Sequence, residues 1–281
     1  MPMIKAAKIR LKPTKGQEQK LWQSAGVARF AYNRTLGRQK ENHDSGGKFL
    51  NDQALRKEFT QLKHKEEYAW LYETSNNITK QAIKDACDAF LNFFKKKAQF
   101  PRFKSKRKSR PAFYNDNVKL IKYDNETKQG QFLIEKVGWV KISEPERIFG
   151  GKFYNPRISF DGKYWYISIG QDITQPMPTL TGESIGIDLG LKNLAVCSNE
   201  TTVNNVNKEP STRQQAKKLR RLQRKVSRKY DMNKNGKEYV KTRNIIKLEK
   251  QIRLTHRKIA NIRLNHVHQA TTEPVKTKPH G

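Results

Sequence analysis

The sequence predicts an α+β chain of several domains: an antiparallel sheet or small barrel interrupted by an inserted helical bundle, then a β-hairpin followed by a long helical hairpin. Three observations predict it. Apolar residues recur at helical spacing from Thr14 to about Lys97 and again from about 211 to 272. Between them, residues 117 to 170 alternate with period two, the signature of half-buried strands. The two patterns meet at Ser184-Ile185-Gly186-Ile187-Asp188-Leu189-Gly190, which continues as Leu191-Lys192-Asn193-Leu194-Ala195-Val196-Cys197 and reads as a β-hairpin about a Gly-Leu-Lys-Asn turn.

Residues 3 to 11 alternate Lys8 and Arg10 with Ile9 and Leu11, a short strand. Thr14 with Gln17 is a capping box, so a helix follows, with Leu21, Ala25, Ala28, Tyr32 and Leu36 on one face. Arg29 and Asn33 lie beside that stripe and read either as RNA contacts or as solvated or intramolecular polar residues. Residues 45 to 51 form a loop, and a second helix carries Leu55, Phe59 and Leu62. A third runs from near Ser75 to about Lys97, with Ile78, Ala82, Ala86, Ala89 and Phe93 as core and Ile83, Phe90 and Phe94 widening the face. Residues 95 to 110 then hold nine basic residues and no acid: Lys95, Lys96, Lys97, Arg102, Lys104, Lys106, Arg107, Lys108 and Arg110. Phe100 and Phe103 interleave with them. Such a run is either a solvated face or an anion-binding one. The rings, which can stack on bases or anchor the loop, and the overall charge favour nucleic acid.

Phe132–Ile134, Trp139–Ile142, Ile158–Phe160 and Tyr164–Ile169 are predicted strands, the last two joined by Asp161-Gly162. They form an antiparallel sheet or small barrel that the N-terminal strand can complete. Residues 171 to 183, with Pro176, Pro178 and Gly182, read as a linker, and 199 to 210 as a polar loop. Helices over about 211–230 and 238–272 pack through Leu219, Leu222 and Val226 against Ile245, Leu248, Ile252, Ile259 and Ile262. Their outer faces are basic, with Arg220, Arg221 and Arg224 foremost as a duplex-backbone clamp. His266 and His268 are two apart and share no helical face, so no metal site is expected there.

The chain has 58 Lys and Arg against 26 Asp and Glu, a formal net charge of +32. A protein this basic meets a polyanion, most simply nucleic acid, with a membrane surface the weaker alternative because no helix is both basic and strongly apolar. No long apolar run marks a membrane span or signal peptide. Cys87 and Cys197 are the only cysteines, which excludes a disulfide framework and any multi-cysteine zinc site in this chain. Cytoplasmic localisation is expected. Asp188 sits mid-strand among apolar residues, where a carboxylate is costly unless paired. It is either a ligand for a divalent cation or a strand-end aspartate bonding a turn.

The Gly-Ile-Asp-Leu-Gly run resembles the first catalytic strand of RNase H-like, RuvC-type nucleases. The opening (Pro13-Thr14, Gly26, Arg29, Tyr32, Asn33, Leu36), the Pro101-Arg102-Phe103-Lys104-Ser105-Lys106 core, and Asn261, Arg263, His268 and Thr271 extend the resemblance to the TnpB (OrfB) family of RNA-guided nucleases encoded by bacterial insertion sequences. In that family the opening carries a helix-turn-helix label, yet no recognition helix is legible here. The resemblance implies a barrel "wedge" domain (1–12 and 105–175), a helical recognition lobe (13–104) and an incomplete RuvC-like domain (184–281). It also implies a guide RNA encoded near the gene, a double-stranded DNA target, a bacterial and nucleoid-associated setting, and Asp188 as a catalytic Mg²⁺ ligand. Two-metal cleavage needs several carboxylates from separate elements. The family's second catalytic strand and zinc ribbon would follow Lys276–Gly281, and Pro274 is expected to break or kink the last helix. The expectation is therefore binding without cleavage, with a repressor-like protein or an inert transposon remnant as the other readings.

Overall fold

In the computed structural model the described residues are 2–106, 109–116, 121–124, 129–148, 152–174, 184–236 and 238–276. They fall into two compact units, Met1–Gln175 and Pro176–Gly281.

The first unit is built on β1 (Pro2–Lys12). Its residues 2–10 pair antiparallel with β7 (Trp165–Thr174), and Leu11 and Lys12 pair with β5 (Gly138–Ile142). One strand thus joins the two halves of a seven-stranded sheet of order β2-β6-β7-β1-β5-β4-β3. The other strands are β2 (Ala112–Tyr114), β3 (Ile121–Asp124), β4 (Gln129–Ile134) and β6 (Phe153–Phe160). Strict alternation buries Ala7, Ile9 and Leu11 of β1 and Trp165, Ile167 and Ile169 of β7 on one face. At the β6–β7 turn Asp161 Oδ1 accepts from the amides of Lys163 (2.9 Å) and Tyr164 (2.8 Å), and Gly162 takes a φ of +99°. The expected barrel is not closed. Among the described residues, three-residue β2 and four-residue β3 stand at opposite edges without pairing, too short to bring the sheet round.

Helices α1 (Lys15–Asp44), α2 (Asp52–Lys63) and α3 (Asn76–Phe94) cover the apolar face. The capping box forms: Thr14 Oγ1 accepts from the Gln17 amide, and Gln17 Oε1 accepts from the Thr14 amide. Gln17 Nε2 also donates to the Trp139 carbonyl at 2.7 Å, fixing α1 to β5. Leu21, Ala25, Ala28, Tyr32 and Leu36 are buried as predicted. Ser75 caps α3 and donates to Glu135 Oε2 at 2.6 Å, a second tie to the sheet. Two expectations fail here. The third helix ends at Phe94, not Lys97, because Lys96 turns into the left-handed region at φ +56°. Phe94 is exposed, not core. Residues 171–174 of the expected linker belong instead to β7, through its pairing with β1; residues 175–183 lie outside the described residues.

In the second unit, β8 (Ile187–Leu189), β9 (Asn193–Cys197) and β10 (Thr202–Asn204) form an antiparallel sheet of order β10-β9-β8. The predicted loop 199–210 therefore contains a strand, which Ala195 and Val196 recruit through the ladder. Helices α4 (Pro210–Met232) and α5 (Arg243–Lys276) pack through the expected seam, in which Ile245, Leu248 and Ile259 are buried. The second helix starts at Arg243, not 238. Glu238 and Tyr239 instead pair with Lys234 and Asn235 as a two-residue ribbon. Helix α5 also runs through Pro274. That position is in its last turn, where only one carbonyl loses its partner.

Two measurements check this packing. Ile9→Ala, at the junction of the two half-sheets, should cost about 2–5 kcal/mol in urea unfolding. Thr14→Ala should cost about 1 kcal/mol through loss of the cap.

Candidate nucleic-acid interface

Helix α1 places Asn33 one turn after Arg29, both half-buried. The Asn33 amide imitates a strand partner. Its Nδ2 donates to the Lys104 carbonyl and its Oδ1 accepts from the Lys104 amide, both at 2.8 Å. One side chain thus latches the basic segment onto the helical bundle across 71 residues. The Lys104 ammonium then lies over the Tyr32 ring, 3.6 Å from its centroid. Beyond the latch, Ser105 and Ser109 close a turn: the Ser109 amide donates to the Ser105 carbonyl (2.9 Å) and the Ser105 amide to Ser109 Oγ (3.0 Å). Arg110 is held by Nε–H to the Phe160 carbonyl (3.1 Å) and Nη2–H to Ser159 Oγ (3.0 Å).

These groups surround a cavity of about 80 Å³. Its floor is small and apolar, with Ala25, Ala28, Ile78 and Ala82. Its walls carry Arg29, Lys104, Arg110 and Arg157, against the single carboxylate of Asp85. Asp85 is already engaged: Arg157 donates through both Nη atoms (2.9 and 3.0 Å), and Gln81 Nε2 donates at 2.9 Å. The β6 bulge between Tyr154 and Arg157 precedes this contact. Burial alone would push the Asp85 carboxyl up, but the hydrogen bonds from Arg157 and Gln81 outweigh it and hold its pKa below the ordinary carboxylate value. Burial and the Arg157 charge lower the Lys104 ammonium, with Asp85 opposing. The pocket is thus cationic with its one acid neutralised. A phosphate group suits it by charge and by the density of N–H donors.

Of the residues singled out in the sequence, this unit brings Arg29, Asn33, Lys104 and Arg110 together. Lys95, Lys96, Lys97, Arg102, Phe103 and Lys106 are exposed and line no part of the cavity, while Arg107 and Lys108 lie outside the described residues. Sequence reasoning missed Gln81, Asp85 and Arg157. The available signal was an acid set between the core positions Ala82 and Ala86. In the second unit, Arg220 and Arg224 line one shallow groove with Arg228, and Arg221 is exposed beside it.

Asp188 lies elsewhere, on the edge strand β8, with Ile187, Asp188 and Leu189 all exposed. Its backbone neighbour Val196 faces it in the register, and the Gly186 amide donates to Ser198 Oγ at 3.0 Å. No group of three or more His, Cys, Asp or Glu side chains able to hold a metal occurs among the described residues. A lone solvated carboxylate does not fit a two-metal centre. The His266 Nε2 atom is 2.7 Å from the Asn204 carbonyl oxygen.

Asp85→Asn should destabilise the protein by about 1 kcal/mol at pH 7, because the Arg157 guanidinium loses a partly exposed charged partner. A depressed carboxylate pKa gives stability that is present above the unfolded value near 3.9 and lost as pH falls through the folded value. The difference between wild type and variant should therefore shrink below about pH 4, measurable by urea unfolding across pH.

Comparison with known proteins places this geometry in a family. Residues 1–48 match the IS605 OrfB model described as "Helix-turn-helix domain", and residues 168–280 match the IS605 OrfB model described as "Probable transposase". The first match corresponds to β1 and the single 30-residue helix α1 rather than to two helices about a turn. The "Putative RNA-guided DNA endonuclease InsQ" of Escherichia coli (strain K12) is 32% identical over 273 residues, covering 97% of this chain and 63% of that protein. A "Putative RNA-guided DNA endonuclease" of Streptomyces pristinaespiralis is 28% identical over 283 residues, covering 98% and 65%. The "Virulence protein VsdF" of Salmonella dublin is 33% identical over 113 residues, which is 37% of this chain and 95% of that protein. The chain spans a little under two thirds of the length of the first two relatives. With both IS605 OrfB models and relatives along nearly its whole length, the chain belongs to the TnpB (OrfB) family of insertion-sequence proteins.

Proposed function

We propose that this chain is a nucleic-acid-binding protein of the RNA-guided DNA endonuclease class, holding guide RNA and double-stranded DNA through their backbones. In this reading, pairing between guide and target reads the sequence and the protein supplies shape and charge. The observation that carries it is the Asn33–Lys104 latch, which holds a basic segment against a pocket of four cations and one neutralised acid. A pocket wanted only for stability would balance its charges. The Arg220/Arg224/Arg228 face of α4 is proposed as a second phosphate-tracking surface, within the second unit. A wedge-like role for the seven-stranded sheet, a RuvC-like role for the β8–β10 sheet and a cytoplasmic, nucleoid-associated setting belong to the same proposal. The relatives' names and the net charge of +32 support it.

Catalysis is proposed to be absent from the chain as it stands. Asp188 is the proposed metal ligand, and among the described residues it belongs to no group of His, Cys, Asp or Glu side chains able to complete a Mg²⁺ site. That Asp188 is exposed on an edge strand and belongs to no such group among the described residues favours binding without cleavage.

Two experiments test this. Fluorescence anisotropy with labelled RNA and duplex DNA should show affinity falling steeply with salt. Lys104→Ala should reduce the slope of log K against log salt by about 0.7–0.9, the value of one phosphate contact. An unchanged slope would remove the pocket from the interface. Incubation of the purified chain with nucleic acid and Mg²⁺ should give no cutting. Cleavage abolished by Asp188→Ala would refute the binding-only reading.

A further inference from the structure

Away from that pocket, the first unit presents an aromatic surface that is rooted in its core at Phe90 and open to solvent beyond it. Five phenylalanines form one connected set: Phe90, Phe93 and Phe94 at the end of α3, Phe49 from the α1–α2 loop, and Phe100 beyond α3. Ring centroids are 5.3 Å apart for Phe93–Phe100, 5.5 Å for Phe90–Phe100, 5.6 Å for Phe49–Phe94 and 5.8 Å for Phe93–Phe94. Phe90 is buried, yet Phe94 is 56% and Phe100 55% exposed. Contiguous exposed rings mark a surface for a partner.

The rim identifies the partner. The chain reverses directly after α3, where the Lys96 amide donates a hydrogen bond to the Phe93 carbonyl (2.9 Å) and the Lys97 amide to the Asn92 carbonyl (2.8 Å). Lys95, Lys96 and Lys97 follow Phe93 and Phe94 directly in sequence and are all exposed, as is Lys48 beside Phe49. From Ala89 to Asn115 there is no acidic residue. Lys96 holds a positive φ of +56°, which disfavours a side chain, so the turn keeps a lysine where glycine would be easier. A second copy of the chain would bring lysine rims together and repel. A polyanion with exposed flat apolar rings satisfies both features, and only unpaired nucleotides have free base faces, since a duplex buries them in its stack.

We propose that the Phe49/Phe94/Phe100 surface is a stacking site for an unpaired nucleic-acid strand, its bases on the rings and its phosphates on Lys95–Lys97. The proposal rests on the nucleic-acid reading above and adds a site separate from the latched pocket.

The test measures anisotropy of fluorescein-labelled oligouridylate and of a blunt DNA duplex of equal length with the full chain. Variants are Phe94→Ala/Phe100→Ala and Phe94→Trp. The double alanine variant should lose about 10-fold or more in single-strand affinity, the scale of one lost base–ring stack, with duplex affinity changed less than about twofold. Phe94→Trp should keep the affinity, and its fluorescence should be quenched by oligouridylate. Equal losses on both probes, no loss on either, or absence of tryptophan quenching would overturn the stacking site while leaving the general reading intact. Wild-type binding to neither probe would overturn both. Self-association of the wild-type chain that the double variant abolishes would assign the surface to a second copy instead.

Discussion

The first unit depends on the central place of β1. A strand of eleven residues pairs with β7 along most of its length and passes to β5 at its end, so both half-sheets hang on it. Its partners lie more than a hundred residues away in sequence, so the sheet forms only when the chain's first segment returns to its later strands. The same strand feeds α1 within two residues through the Thr14–Gln17 box, and Gln17 reaches back to β5. The direction of α1 is therefore set by the sheet, and with it the position of every side chain on α1.

Arg29 and Asn33 inherit that position. The latch on Lys104 costs one amide side chain and fixes a strongly basic segment whose own charges would otherwise keep it extended. Arg157–Asp85 bridges β6 to α3 across the same cavity and uses up the only acid. Fold stability and positive potential come from the same contacts. The family label of the first 48 residues names a helix-turn-helix, but the structure holds a strand and one 30-residue helix there.

What was legible in the sequence was local. The capping box needs residues three apart, the Asp161-Gly162 turn needs adjacent ones, and the Trp165-Ile167-Ile169 alternation needs one strand. What was not legible spans the fold. Asn33–Lys104 and Asp85–Arg157 join residues about seventy apart, and nothing in either segment announces its partner. The end of α3 was overestimated because helical spacing of phenylalanines continues past the turn at Lys96, while burial does not. The sequence puts Asp188 in an apolar strand, and the structure makes that strand an exposed edge, so the carboxylate bears no burial cost there. Strand pairing also recruited Thr202–Asn204 and Glu238–Tyr239, whose polar composition gives no strand signal.

The central claim is that nucleic acid contacts the latched basic segment and its pocket. Ultraviolet cross-linking of the full chain to the RNA that co-purifies with it, followed by peptide mass spectrometry, tests this most directly. The account predicts cross-links concentrated in the peptides that carry residues 93–114 and Arg29. Cross-links confined to α4 and α5, or found with no RNA preference over that segment, would contradict it.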